Sequence, residues 1–220
     1  MNININEVMK EITEKIPYRD SLIEEIEPKL LKVIEFFEIT NLENIKIKIW
    51  NNIDEYKEHI SKYTEYKEEM CADTFDGVVN ILEINEARKT NAHKTMTYEE
   101  YTQNIVHEFV HICQQRKEKE HDEEDKNSWF YEALATNLGN PEQFSKLIYF
   151  TVDKKEIEKF NELGNNRYEI AYTIGRFLLE NYSKEEILEL VEYPSKLSKL
   201  TSKIIEDTRD WVDYQAVNKK

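Results

Sequence analysis

Ile5, Val8, Met9, Ile12 and Ile16 recur at intervals of three and four residues, and Leu22, Ile23, Ile26, Leu30, Val33, Ile34 and Phe37 do the same. That spacing predicts two helices with one buried face each. Pro28, within the second run, predicts a kink or a helix start there. The pattern changes at "NIKIKIW", where Ile45, Ile47 and Ile49 alternate with Lys46 and Lys48, the period of a strand with one wet face. A helix over 53–63 should follow, and "DGVVNILEIN" predicts a second strand after a turn at Asp76-Gly77. Thr97 opens "TYEE", a capping box in which Glu100 can reach back to the N-cap amide, so a helix is expected over 98–115. The mixed charges of "RKEKEHDEEDKNS" predict an exposed loop or helix end. "SWFYEALATNLG" resumes helical character, with Gly139 as C-cap and Asn140-Pro141 restarting the chain. Further helices are expected over 141–150, 153–163, 166–182, 183–192 and 196–213. No internal repeat or low-complexity linker interrupts the pattern.

Composition sharpens this picture. Gly and Pro number only four each in 220 residues, too little turn chemistry for a sandwich or barrel. The expected class is α+β, predominantly helical, in one domain. The formal charge of −15 would repel a phosphate backbone and an anionic membrane face, so neither nucleic acid nor membrane is an expected partner. Cys71 and Cys113 form no CxxC pair, and reduced thiols are expected. The start "MNININEVMKEITEKI" has no basic n-region, and nowhere do about 18 apolar residues follow one another. The expectation is a soluble, cytoplasmic protein.

Candidate chemistry sits on the helix expected over 98–115, in "IVHEFVHICQQ". Residues four apart on a helix share a face, so His107 and His111 can aim two imidazole nitrogens at one point. Glu108, turned by about 100° from His107, falls beside that point, which separates a base from the ligands. Zn2+ suits these donors, and a catalytic site needs about three protein ligands with one position left for water. The competing reading is a solvent-facing histidine pair on an amphipathic helix whose apolar face is Ile105, Phe109, Val110 and Ile112. Glu132 bears on the choice. It lies in "WFYEALATNL", where Trp129, Phe130, Leu134 and Leu138 should bury most of a helix, and a carboxylate near a packed face needs a partner such as a metal.

With these residues the chain resembles the gluzincins, zinc peptidases of the thermolysin-like superfamily, which place HExxH on one helix and a third-ligand glutamate on the next. Their second motif often reads W-x-x-E-G-L-A and stands here as Trp129, Glu132, Ala133, Leu134 and Ala135, with alanine in place of the glycine. Thermolysin has an aspartate four residues past that glutamate, and this chain has Thr136 there, which leaves the partners of the ligands unassigned. "YEIAYTIGRFLLENY" is similar to the segment whose tyrosine polarises the scissile carbonyl. That resemblance implies Tyr168 in this role, with Tyr172, one turn on, as the fallback. It also implies a small zincin-like fold. A sheet-containing upper lobe, about 1–115, would pack a short sheet on the HExxH helix, and a helical lower lobe, about 128–215, would carry Glu132.

The implied activity is that of a zinc metallopeptidase, an endopeptidase or aminopeptidase. His107, His111 and Glu132 would hold the metal, and Glu108 would activate the water that attacks a peptide or protein substrate. The strand over 78–84 is expected to hold an extended peptide by edge pairing. The alternatives are a non-catalytic zinc-binding regulatory or interaction protein on the same scaffold and an acidic helical interaction protein with incidental histidines. His59, His93 and His121 lie outside any ligand spacing, Cys113 is expected in the core, and the sequence sets no oligomeric state.

Overall fold

The computed structural model describes residues 5–10, 12, 16–67, 70–120, 126–139 and 146–218, with no side-chain account of 6, 7 and 218. The chain is α+β and predominantly helical, with one small sheet among the described residues. It divides into two compact units, residues 1–113 and 114–220. No helix among the described residues is long and apolar enough to cross a membrane.

In the first unit, helix α1 (Ile5–Met9) is shorter than the expected run, although Ile12 and Ile16 keep the buried face that its spacing foretells. Helix α2 (Arg19–Phe37) passes through Pro28 without a break, so Pro28 does not start a helix. A proline inside a helix costs about 3 kcal/mol through a lost hydrogen bond and a ring clash. The opposing term is a complete apolar stripe, with Leu22, Ile26, Leu30, Val33, Ile34 and Phe37 all buried. Each such side chain contributes about 1.5–3 kcal/mol.

Strand β1 (Lys46–Trp50) runs parallel to β3 (Val78–Leu82), with Ile47 opposite Val79 and Ile49 opposite Ile81. Between them come helix α3 (Ile53–Ile60), capped by the Asn52 side chain, and strand β2 (Ala72–Phe75). β2 pairs antiparallel with β3, and the sheet order is β1-β3-β2. The β2–β3 hairpin closes on Asp76 and Gly77, whose φ values of 50° and 77° give the left-handed pair that a two-residue hairpin favours. This order corrects one expectation. β3 is central and hydrogen-bonded on both sides, so it has no edge to offer a peptide. After α4 (Ile84–Ala87), the capping box forms as expected, with Thr97 Oγ1 accepting from the Glu100 amide at 3.1 Å and Glu100 accepting from the Thr97 amide at 2.6 Å. It opens helix α5 (Tyr98–Lys117), which continues across the boundary of the two units.

The second unit holds the last residues of α5, then α6 (Ser128–Leu138), α7 (Lys154–Ile157), two 3-10 turns (Phe160–Glu162 and Gly164–Asn166), α8 (Arg167–Asn181), α9 (Lys184–Glu192) and α10 (Pro194–Asn218). The helices expected over 166–182, 183–192 and 196–213 are therefore present, whereas the one expected over 153–163 is broken into a single α-helical turn and one 3-10 turn. The Asn140-Pro141 restart lies outside the described residues. Of the helix expected over 141–150, residues 146–150 are irregular. Side chains hold that segment: the Ile148 amide donates to Thr173 Oγ1 at 3.1 Å, and Arg209 donates to the carbonyls of Phe150 and Val152. Backbone groups satisfied in this way need no helical partner.

Candidate metal centre

α5 buries Tyr101, Ile105, Val106, Phe109, Val110, Ile112 and Cys113, so its apolar face includes the four residues expected there. His107, Glu108 and His111 remain half-buried on the rest of the helix. The two imidazoles turn the same atom inward: His107 Nε2 and His111 Nε2 are 3.2 Å apart, with the rings edge to face. Two nitrogens at 2.0–2.1 Å from one tetrahedral zinc stand ~3.3 Å apart. The pair therefore already has the separation of two ligands of one ion. As a bare pair, one Nε2 must carry the proton shared between them; as ligands, both must present lone pairs.

α6 supplies the carboxylate. Trp129, Phe130, Ala133, Leu134 and Ala135 are buried, with Glu132 half-buried among them and Leu138 less covered than its spacing suggests. Three contacts fix this helix within the second unit. Gln114, buried on the last turn of α5, donates through Nε2 to the Tyr131 carbonyl at 3.0 Å, next to Glu132. Asn137 Nδ2 donates to the Ala133 and Tyr172 carbonyls at 2.9 and 3.0 Å, joining α6 to α8. Gly175 of α8 faces Ala133 so closely that a Cβ there would sit 2.1 Å from the Ala133 carbonyl oxygen. Thr136, four residues past Glu132, is buried and donates to the carbonyls of Glu132 and Ala133, at 2.7 and 3.2 Å. Its proton is thus committed to its own helix.

One ligand atom from each of His107, His111 and Glu132 lies within 4.8 Å of the others, and no other set of three potential ligands gathers among the described residues. Two imidazoles and a carboxylate could hold a transition metal, zinc among them: the donor set is neither the all-oxygen shell of calcium or magnesium nor a thiolate cage.

Glu108 is held from the sheet. Thr74 Oγ1 lies 2.8 Å from Glu108 Oε2 and 3.2 Å from the Glu108 carbonyl oxygen. The adjacent β2 residue, Asp73, is buried and accepts from Tyr56 Oη at 2.8 Å and Asn80 Nδ2 at 3.2 Å, and Asn80 in turn accepts from Trp50 Nε1 at 3.1 Å. Burial pushes the Asp73 carboxyl up to about 6, with the charge of Glu108 adding to the rise and the Tyr56 and Asn80 hydrogen bonds opposing it. Burial first and Glu108 second also push the Cys71 thiol up to about 12. Sequence reasoning missed Thr74 and Gln114. For Gln114 a signal existed, since it follows His111 by three residues on the same helix; for Thr74 the Asp76-Gly77 turn implies a strand on each side, and only the second was assigned.

The other expected residues are placed as follows. Tyr168 is half-buried near the start of α8, its ring edge-on to Phe160 and under the Arg167 guanidinium at 4.9 Å. Tyr172 is buried one turn later. His59 packs against Trp50, Tyr63 and Phe75, and loss of water around it lowers its proton affinity. His93 lies in the turns after α4, where its amide donates to Thr90. His121 is outside the described residues. Cys71 and Cys113 are buried and free of disulfides. Comparison with family models, with curated proteins and with solved structures finds no match.

Proposed function

We propose that this protein is a zinc metallopeptidase, with His107, His111 and Glu132 as metal ligands and Glu108 as general base. The observation that carries the reading is the convergence of two imidazoles and one carboxylate within 4.8 Å, on helices whose other faces are packed. A zinc ion held there supplies Lewis acidity, lowering the pKa of water toward ~7 and polarising a carbonyl. The chain's own residues do the rest. As ligands, His107 and His111 would present Nε2 lone pairs, which puts their ring protons on Nδ1. Glu108 takes a proton from the attacking water and returns it to the leaving nitrogen. Tyr168, the less buried of the two candidate tyrosines, donates to the carbonyl oxygen as negative charge grows on it. An extended peptide can pair with β2, whose outer side meets no strand among the described residues and whose Thr74 reaches Glu108.

Zinc content and cleavage of a mixed peptide library, measured together before and after chelation, test this reading. The expected result is about one zinc per chain and a cleavage activity that chelation removes and zinc restores. Glu108→Gln should keep the zinc and lose at least ~10²–10⁴ in rate, because an amide of the same size cannot accept the proton. Glu132→Ala should lose the zinc while helical content stays near wild type. Zinc bound without turnover would point instead to a non-catalytic zinc-binding protein, and a wild-type chain without zinc would leave only an incidental histidine pair.

A further inference from the structure

The base assigned above is a long, half-buried side chain on a helix, and a glutamate with three rotatable bonds does not hold one orientation by itself. We infer that Thr74 is the positioning residue for Glu108, fixing its carboxylate from the neighbouring strand so that Oε2 is engaged and Oε1 is the oxygen that accepts the proton. The inference rests on the metallopeptidase reading of the site.

Three observations support it. A hydroxyl has one proton to give, and Thr74 Oγ1 faces two acceptors of the same residue: Oε2 at 2.8 Å and the main-chain carbonyl at 3.2 Å. The shorter contact is to the carboxylate, and the second anchors the hydroxyl over the backbone of the residue it orients. Thr74 itself has little freedom. It lies in β2, paired opposite Val79 of the central strand, two residues before a hairpin whose Asp76-Gly77 turn fixes the register. Its β-branched side chain is stiff at χ1. Its β2 neighbour Asp73 is tied to Tyr56 and Asn80, so the strand is anchored on both sides of its pleat. Thr74 touches neither histidine in any hydrogen bond described above, so its part is in orientation and not in metal binding.

The test uses the zinc-loaded full chain as wild type, Thr74→Val and Thr74→Ser. Valine keeps the branched shape and strand preference without the hydroxyl; serine keeps the hydroxyl. With peptide cleavage as readout, Thr74→Val should lower kcat by about 10- to 100-fold, the scale of a catalytic group displaced by about 1 Å. Its KM and zinc content should stay unchanged, and Thr74→Ser should return kcat to within about threefold of wild type. Crystal structures of the three zinc-loaded proteins give a second readout that does not need turnover: one Glu108 carboxylate position in wild type and Thr74→Ser, and more than one, or a rotated one, in Thr74→Val. A Thr74→Val protein with wild-type kcat, or with an unmoved Glu108 carboxylate, overturns the inference while leaving the metallopeptidase reading intact. A parallel loss of zinc would make Thr74 a general structural residue and overturn it too. A wild-type chain that binds zinc and has an ordered Glu108 but cleaves nothing sinks the peptidase reading and, with it, the proton-accepting role given to Oε1.

Discussion

Asp73 is a buried carboxylate whose two hydrogen bonds, from Tyr56 and Asn80, do not offset the cost of its burial, so its proton affinity rises. The sign of the consequence follows from the direction. A carboxyl that holds its proton more tightly in the folded chain than in the unfolded one favours folding where it is protonated. That contribution is complete below the unfolded value of 3.8 and is lost as pH rises through the folded value of about 6. A shift of about two units corresponds to up to about 3 kcal/mol. Urea unfolding at a series of pH values should therefore show stability falling between about pH 4 and 7 from this residue. Asp73→Asn, which cannot titrate, should flatten that slope by a similar amount; an unchanged slope would remove Asp73 as its source. At the same scale, Tyr168→Phe should cost ~10²–10³ in kcat with zinc content unchanged. The same loss in Tyr172→Phe instead would move the role one turn along α8.

The contact of α6 with α8 carries the clearest element-scale prediction. A methyl at Gly175 would meet backbone, not the end of a flexible side chain: the Ala133 carbonyl oxygen at 2.1 Å and its carbon at 2.8 Å, as well as Asn137 Nδ2 at 2.3 Å. One helix must then move off the other. Gly175→Ala should destabilise the protein by at least about 1–3 kcal/mol, read as a lower urea midpoint at constant slope. Because α6 carries Glu132, zinc affinity should fall as well, by a measure that Gly175→Ser cannot rescue.

Elements of this kind were legible in unequal degree. α2, β1, α5, α6 and α8 are written in strict apolar periodicity, and α5 also in its cap, so residue spacing alone places the candidate ligands His107 and His111 on one helix face. β2 could not be read that way. It has four residues, and its Asp73 and Thr74 are there for partners, not for burial alone; the Thr74 to Glu108 contact joins residues 34 apart in sequence. Residues 146–150 misled in the opposite direction, since their apolar content reads as helix while Thr173 and Arg209 hold the backbone irregular.

For the whole molecule, the proposed site, with its donors on two helices, would couple metal to stability, because zinc held there would bind the folded chain through groups that the unfolded chain does not assemble. At free zinc about a thousandfold above its Kd the gain is about 4 kcal/mol. For a chain of this size that raises the midpoint of thermal unfolding by about 10 °C. Calorimetry with and without a chelator should show this difference in wild type and in Glu108→Gln, and should show little of it in Glu132→Ala. A midpoint indifferent to zinc in wild type would contradict the ligand assignment. The charge of −15 adds a second dependence: self-repulsion opposes the compact state and is screened by salt, so the chelated protein should unfold at a higher temperature in about 0.3 M than in about 0.01 M sodium chloride.

The two cysteines turn this equilibrium into something that can be timed. Cys71 and Cys113 are closed off from solvent, and Cys71 also holds its proton to about pH 12, so neither reacts with an alkylating reagent while its surroundings stay shut. Both belong to residues 1–113. Alkylation of the native protein is thus a stopwatch for local opening, Cys113 reporting from the helix that bears the histidines and Cys71 from the start of the hairpin that bears Thr74. Mass spectrometry resolves the two labels, so one experiment tells whether withdrawing zinc loosens the helix, the hairpin or both, and in which order.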